Sequence, residues 1–240
     1  MAAAAISRLA PAPRVVRVEC AFGSSDVPHA AVAELVRDAL GLEGGVRRHD
    51  LEKGVAALGI PEGKRAALVD ALAPIFGAEG SGDAGADAGA GRTERLTGAV
   101  RTVLGALARR GPVVVWVDAV QFMDPPSREL MARLVEGELE APILVVFGTR
   151  PDERVESALR EALRIEVSEL APPDAARLVE ARFGARVPPE LAAAITQRAG
   201  GSPFFLLELC DALLEKGVVR IEEGPEGRRV VRKPGVPLAL

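Results

Sequence analysis

The chain has 240 residues, a net charge of −4 and a hydrophobic content of 48%, which supplies a sizeable core for one large α/β domain or for one domain plus a small lid. The acidic balance gives no basic footprint for nucleic acid, and no stretch reaches the ~18 apolar residues of a membrane span or forms a signal peptide. Cys20 and Cys210 lie far apart without a CxxC partner, so we expect buried free thiols and a reducing, cytoplasmic setting.

The first two thirds of the chain alternate between amphipathic helices and short apolar strands. A Gly- and Ala-rich run at 77–91 has no large apolar side chain and predicts a flexible linker or surface loop. The predicted elements are a strand at 14–20, helices at 28–40, 47–58, 62–76 and 93–109, a strand ending at Asp118, a Pro-started helix capped by Asp124, and a strand at 142–148. This alternation predicts a parallel α/β sheet.

The last third of the chain is different in character. A short strand is predicted near 164–167, followed by three short helices and a hairpin around a Gly-Pro-rich turn. The helices are predicted at 172–183, 188–199 and 203–216, and the hairpin strands at 218–221 and 229–231. We therefore divide the chain into an α/β core at 1–169, a helical subdomain at 170–217, and a hairpin with the start of a following domain at 218–240.

The stretch VVVWVDAVQFMDPPS, residues 113–127, combines a continuous apolar run with an acid, Asp118, at its end. Such runs suit strands that are buried on both faces of a parallel sheet, and ligands bind outside the carboxyl ends of those strands. The next predicted strand ends in Thr149 and Arg150. An acid, a hydroxyl and a guanidinium at one sheet edge predict a phosphate-and-metal site. The alternative is that Asp118 is a capping or loop acid.

Several other motifs are better explained by structure. The segment GSGDAG, at 80–85, matches GxGxxG but has neither a strand before it nor a helix after it. GIPEGKR, at 59–65, has its glycines one residue too close for a phosphate loop, and Arg65 stands where Ser or Thr would hold magnesium. His29 and His49 have no catalytic partner at a recognisable spacing, and no GxSxG is present, so surface or capping roles are predicted.

Three segments together resemble the AAA-like, STAND class of bacterial signal-transduction ATPases. WVDAVQFMDPPSREL is similar to the Walker B region of that family, and FGTRPDE to the strand end that faces the terminal phosphate. AGGSPFFLLELCDALLEKGVV resembles the lid helix whose Gly-x-Pro corner touches adenine, and the final GVPLAL resembles the entry to a winged-helix domain. These modules occur in large regulators beside kinase, cyclase, tetratricopeptide or DNA-binding domains.

The resemblance implies a partial P-loop NTPase sheet flanked by helices and followed by a small all-helical lid. It implies ATP and Mg²⁺ as ligands, with Asp118 orienting the metal and Arg150 with Thr149 sensing the γ-phosphate. Gly201, Ser202 and Pro203 would shape the adenine pocket. The partners implied are neighbouring effector or sensor domains of the kinds named above, and neither nucleic acid nor a membrane is directly indicated.

Two departures from the family pattern bear on activity. No GxxxxGK[ST] occurs in the chain, and the phosphate loop of the family would precede the 14–20 strand, so more chain is expected. Ala119 stands where the family places a second acid, and losing a positioned base commonly costs about 10²-fold or more in rate. We therefore expect no hydrolysis by this chain. Three functions remain open: a nucleotide-dependent switch, a degenerate scaffold for protein interactions, or the ATPase part of a transcriptional regulator.

Overall fold

The computed structural model describes residues 11–78, 90–136, 141–160, 162–225 and 227–233. The chain divides into two compact units, which we call unit 1 (Met1–Ala162) and unit 2 (Leu163–Leu240). Most of the predicted linker, the GSGDAG match and the terminal GVPLAL lie outside the described residues. Among the helices of the described part, none is long and apolar enough to cross a bilayer.

Unit 1 is an α/β unit built on a parallel sheet, as predicted. Among the described residues the sheet has three strands, in the order β1-β2-β3. The elements are β1 (Arg14–Glu19), a 3₁₀ turn (Ser24–Asp26), α1 (Ala30–Leu40), α2 (Arg48–Ala57), α3 (Glu62–Leu72), a 3₁₀ turn (Ala73–Phe76), α4 (Ala90–Ala108), β2 (Val113–Asp118), a 3₁₀ turn (Val120–Phe122), α5 (Pro125–Glu136), β3 (Ile143–Phe147) and α6 (Glu153–Ala158).

The central strand β2 is the most deeply buried of the three, because it is paired on both sides and covered by helices. The inward faces predicted for the helices are buried as well, including Val32, Leu35, Val36, Val100, Val103, Leu104, Leu130, Met131 and Leu134. In the strand register Glu19 lies beside Asp118, and Val117 lies beside Phe147. The carboxyl ends of all three strands therefore meet at one edge, where Asp118 and the residues after β3 lie.

The outer edges of β1 and β3 differ in what covers them. Side chains of α1 cover the free edge of β1, since the Arg17 backbone N–H donates to Asp38 Oδ2 (2.9 Å) and the Glu19 N–H donates to Glu34 Oε1 (3.3 Å). Within the described ranges no strand pairs with the outer edge of β3, where Leu144 is 54% exposed. Carboxylates thus block one edge, whereas the other edge presents an apolar strand.

Unit 2 is a three-helix unit with a hairpin. Its elements are α7 (Pro172–Phe183), α8 (Pro189–Ala199), α9 (Pro203–Glu215), β4 (Val219–Gly224) and β5 (Gly227–Arg232), which confirms the three predicted helices and the hairpin. The helices and the hairpin share one apolar core, which includes Val179, Phe183, Ile195, Leu206, Leu213, Val219 and Val230. The hairpin also bonds to the α7–α8 connection, because Arg186 N–H donates to Arg228 O and Val230 N–H donates to Arg186 O.

The strand predicted near 164–167 was wrong: the structure has no strand there. Leu163, Ile165 and Val167 alternate with polar residues, the pattern of a half-buried strand, yet they are 89%, 79% and 76% exposed. An extended segment becomes a strand only through hydrogen bonds to a neighbour, and no strand in the described part of the chain supplies them.

Candidate functional site

Asp118 is the last residue of β2, and its side chain is exposed at the carboxyl edge of the sheet. Its Oδ1 accepts a hydrogen bond from the Ala119 N–H (2.8 Å). The carboxylate lies directly over Gly148, the residue after β3, where an added Cβ would stand 2.5 Å from Oδ1. Gly148 is therefore the residue that leaves room for the Asp118 carboxylate beside the end of β3.

Ala119, which follows Asp118 directly, has a left-handed backbone with φ 54° and ψ 41°. This conformation costs an L-residue such as Ala about 1–2 kcal/mol, whereas Asp and Asn tolerate it better. The bend sends the chain from β2 into the 3₁₀ turn that carries Gln121. Ala119 keeps the backbone path of the turn without a side chain that can orient water.

Gln121 connects the turn after β2 to the end of β3, a role that no sequence motif indicates. Its Oε1 accepts from the Arg150 backbone N–H (3.2 Å) and lies 3.3 Å from Thr149 Oγ1. Thr149 Oγ1 is also 2.7 Å from the Arg150 carbonyl oxygen. The predicted pair Thr149–Arg150 is thus at the same sheet edge as Asp118, and Gln121 holds its backbone.

Asp124 is a buried carboxylate, 1% exposed, that caps two helices. Its Oδ1 accepts from Ser127 N–H (2.9 Å) at the start of α5, which confirms the predicted N-cap. The same carboxylate accepts from the N–H groups of His29 (2.8 Å) and Ala31 (3.3 Å), so it also caps α1. Asp124 therefore ties the turn after β2 to the helix that follows β1.

The two histidines have no catalytic arrangement. His29 has a left-handed backbone (φ 62°), and its buried Nδ1 has no hydrogen-bond partner. Burial lowers the pKa of His29, and the nearby Asp124 carboxylate opposes this shift. His49 is exposed and lies 4.0 Å from Glu52. The predicted capping role applies to the backbone of His29, not to its imidazole ring.

Cys20 lies below this edge of the sheet and is 3% exposed. Burial and, to a smaller extent, the negative charges of Glu34, Asp124 and Asp118 together raise the pKa of its thiol to about 12. Because the thiolate is the reactive form, Cys20 is an inert buried thiol, as predicted. Phe22 lies on the rim of the edge, 88% exposed, and its ring packs edge-on against Phe122 at 5.4 Å.

The residues at this edge fit a metal ion that arrives with a phosphate better than a free ion. Among the described residues, no three His, Cys, Asp or Glu side chains come together as a metal-binding group. Asp118 offers one carboxylate and Thr149 one hydroxyl. Mg²⁺ in nucleotide sites is commonly held by one or two carboxylates together with phosphate oxygens and water.

Gly201, Ser202 and Pro203 lie in unit 2, in the connection between α8 and α9. Gly200 and Gly201 both have positive φ, 61° and 76°, and their N–H groups bond to carbonyls of the last turn of α8. Gly201 also packs against the Glu169–Leu170 backbone, where an added Cβ would stand 2.9 Å from Leu170 O. Pro203 is the first residue of α9, as predicted.

The structure therefore brings the predicted residues together in two groups. Asp118, Thr149 and Arg150 share an edge of unit 1, and Gly201, Ser202 and Pro203 share a turn of unit 2. Beside the second group, Phe204 and Phe205 are 64% and 59% exposed and stack edge-on at 5.5 Å. The packing of Gly201 accounts for a glycine at that position without a ligand.

Comparisons with known proteins match both parts of the chain but give no activity. Residues 173–226, which run from α7 through β4, match a domain of unknown function, DUF8739. "Uncharacterized protein R02095" of Rhizobium meliloti (strain 1021) is 31% identical over 166 residues, which cover 65% of this chain. No solved structure matches. The aligned part is 16% of the length of the Rhizobium protein, so this chain is similar to a small portion of a much larger protein.

Proposed function

We propose that this chain is a regulatory ATP-binding module of a bacterial signal-transduction or transcription-regulating ATPase, and that it acts as a nucleotide-dependent switch. One observation carries the proposal: Asp118, Thr149 and Arg150 lie at the same carboxyl edge of a parallel sheet. This edge is where α/β sheets bind their ligands. The function therefore belongs to unit 1.

Each residue has a defined task in this proposal. The exposed Asp118 carboxylate would hold the Mg²⁺ of MgATP, and its Oδ1 is already oriented by the Ala119 N–H. The Thr149 hydroxyl and the Arg150 guanidinium would bind the terminal phosphate, since hydrogen bonds between ionised groups are the strongest available.

The free edge of β3 supports a larger sheet of the P-loop NTPase kind. Ile143–Phe147 is apolar at every position, as in strands that are internal to parallel sheets. The Gly148 N–H bonds to Val117 O, so alternate N–H and C=O groups of β3 face outward. A further parallel strand, from outside the described residues, would pair with this edge. The loop after that strand would then lie at the carboxyl edge of the sheet, beside Asp118. Such a loop is where backbone N–H groups would bind phosphate.

Hydrolysis is not part of this proposal. Ala119 offers no carboxylate to orient an attacking water, and within the described part of unit 1 the polar side chain placed in that turn is Gln121. Phosphoryl transfer needs both a phosphate cradle and a water-orienting group. The switch would therefore respond to which nucleotide is bound and to its exchange.

Calorimetric titration with MgATP tests the proposal. We expect a measurable binding heat for the parent chain and an affinity at least about tenfold lower for Asp118→Asn, because the metal loses the charged ligand that Asp118 supplies. The matched control is Asp70→Asn, an exposed acid on α3 in the same unit, which should bind like the parent chain. Equal affinities for Asp118→Asn and the parent would show that Asp118 is not a metal ligand.

The second candidate is a scaffold that retains the fold for protein interactions with neighbouring effector or sensor domains. The left-handed Ala119 favours this function, because the chain keeps the turn conformation at this position but has no carboxylate there. The scaffold predicts no binding heat with MgATP or MgADP and no change in melting temperature with either nucleotide. A dose-dependent rise in melting temperature with MgATP would exclude it.

A further inference from the structure

Gln121 joins two segments that the proposed site needs in fixed positions. Its carboxamide oxygen lies 3.2 Å from the Arg150 backbone nitrogen and 3.3 Å from Thr149 Oγ1. Gln121 belongs to the 3₁₀ turn after β2, whereas Thr149 and Arg150 follow β3. The side chain of Gln121 is therefore a clamp between the turn beside Asp118 and the end of β3.

The hydrogen-bond chemistry around Thr149 makes this clamp adjustable. The Thr149 hydroxyl carries one proton and lies within hydrogen-bonding distance of two acceptors, Gln121 Oε1 and the Arg150 carbonyl oxygen at 2.7 Å. A hydroxyl rotates to suit its acceptors, so it can turn its proton to a third one. The Arg150 N–H has no such choice and stays with Gln121.

We infer that the Gln121 clamp carries the discrimination between ATP and ADP. This inference rests on the proposed function. ATP differs from ADP by its γ-phosphate, whose oxygens compete for the Thr149 proton and attract the Arg150 guanidinium. Because Gln121 already fixes the Arg150 backbone, binding the γ-phosphate does not have to order the end of β3. Without the clamp, part of the favourable interaction is lost in ordering this segment, and the affinity for ATP falls while that for ADP does not.

Three variants test the clamp by residue-specific amide exchange. Gln121→Met keeps the size of the side chain but removes the acceptor, and the Arg150 amide should exchange about three- to tenfold faster. Gln121→Glu keeps acceptor oxygens and should restore the parent exchange rate. The control is Gln197→Ala, the other glutamine of the chain, exposed on α8, which should leave Arg150 unchanged. An unchanged Arg150 rate in Gln121→Met would overturn the clamp.

Nucleotide titrations of the same variants test the discrimination. The ratio of MgATP to MgADP affinity should fall about tenfold in Gln121→Met, with the MgADP affinity and the melting temperature unchanged. A parent chain that prefers MgATP, with the same ratio in Gln121→Met, would overturn this inference and leave the proposed function standing. A parent chain that binds neither nucleotide would overturn the proposed function and the discrimination together, while the exchange data would still decide whether the clamp exists.

Discussion

Replacing Gly201 with Ala should destabilise unit 2 much more than replacing its neighbour Gly200. The two glycines are adjacent and both have left-handed backbones, with φ 76° and 61°. They differ in what a side chain would meet. A Cβ at Gly201 would stand 2.9 Å from Leu170 O and 3.1 Å from Glu169 Cβ, whereas a Cβ at Gly200 meets nothing within 4 Å. Gly200→Ala is thus a matched control for the backbone cost alone.

The expected losses of stability follow from two costs, that of a left-handed backbone at Ala and that of the close contact of an added Cβ. A left-handed Ala costs about 1–2 kcal/mol, of which about 0.4–1 kcal/mol is offset because Ala restricts the unfolded chain more than Gly. Gly200→Ala should therefore lower the free energy of unfolding by about 1 kcal/mol. Gly201→Ala adds an overpacking cost of about 1–3 kcal/mol, because the contacted atoms are backbone and must shift. We expect a total of about 2–4 kcal/mol at Gly201.

Hydrogen exchange in increasing urea, followed by mass spectrometry on peptides from 171–215, measures this difference within unit 2. The single tryptophan, Trp116, lies in β2 and reports unit 1 separately by fluorescence. Equal losses in the two variants would refute the packing argument at Gly201. A loss at Gly201 below about 1 kcal/mol would show that the Glu169–Leu170 backbone yields without cost.

Four further predictions concern residues near Asp118 and the two thiols. Asp124→Ala should lower the free energy of unfolding of unit 1 by about 3 kcal/mol or more, because three backbone N–H groups lose their acceptor. Asp124→Asn should lower it by about half as much. Urea titrations followed by Trp116 fluorescence measure both losses, and equal losses would contradict the two-helix cap. Ala119→Gly should raise that free energy by about 0.5–1 kcal/mol by relieving the left-handed backbone, while Ala132→Gly, within α5, should lower it by about 1 kcal/mol. Cys20 and Cys210 should not react with a disulfide reagent in the native chain at pH 8, because burial raises the pKa of the two thiols from 9.0 to about 12 and about 11. Because the folded state favours the protonated thiols, the free energy of unfolding should fall as the pH rises above 9. Cys20→Ala should make this fall with pH smaller for unit 1. An unchanged dependence on pH would contradict the prediction.

The sequence allowed prediction of elements whose signal is local. Continuous apolar runs identified β2 and β3 as parallel strands, and Asp124 before two prolines identified the start of α5. The second role of Asp124, as the cap of α1, could not be predicted from the sequence, because its partners His29 and Ala31 are more than ninety residues away in the chain. That contact also explains why α1 begins at Ala30, two residues later than predicted.

The candidate site was predictable only in part for the same reason. Asp118, Thr149 and Arg150 follow apolar runs, and the rule that strand ends meet at one edge predicted their proximity. Gln121 follows no rule of spacing, since a glutamine in a short turn has many possible partners. The predicted strand near 164–167 shows the converse case, in which the pattern is strand-like but no strand in the described part of the chain pairs with it.

The covering of the β1 edge depends on groups that can be neutralised. Burial raises the pKa of Glu34, and this carboxylate accepts the N–H of Glu19, while Asp38 accepts that of Arg17. A folded-state pKa above the ordinary value means that acid removes the charge of Glu34 before that of a free glutamate. In mild acid β1 therefore loses part of the charge that keeps other strands away from it. Association through the β1 edge should therefore increase as the pH falls, whereas the β3 edge, which pairs with no strand among the described residues, does not depend on this carboxylate.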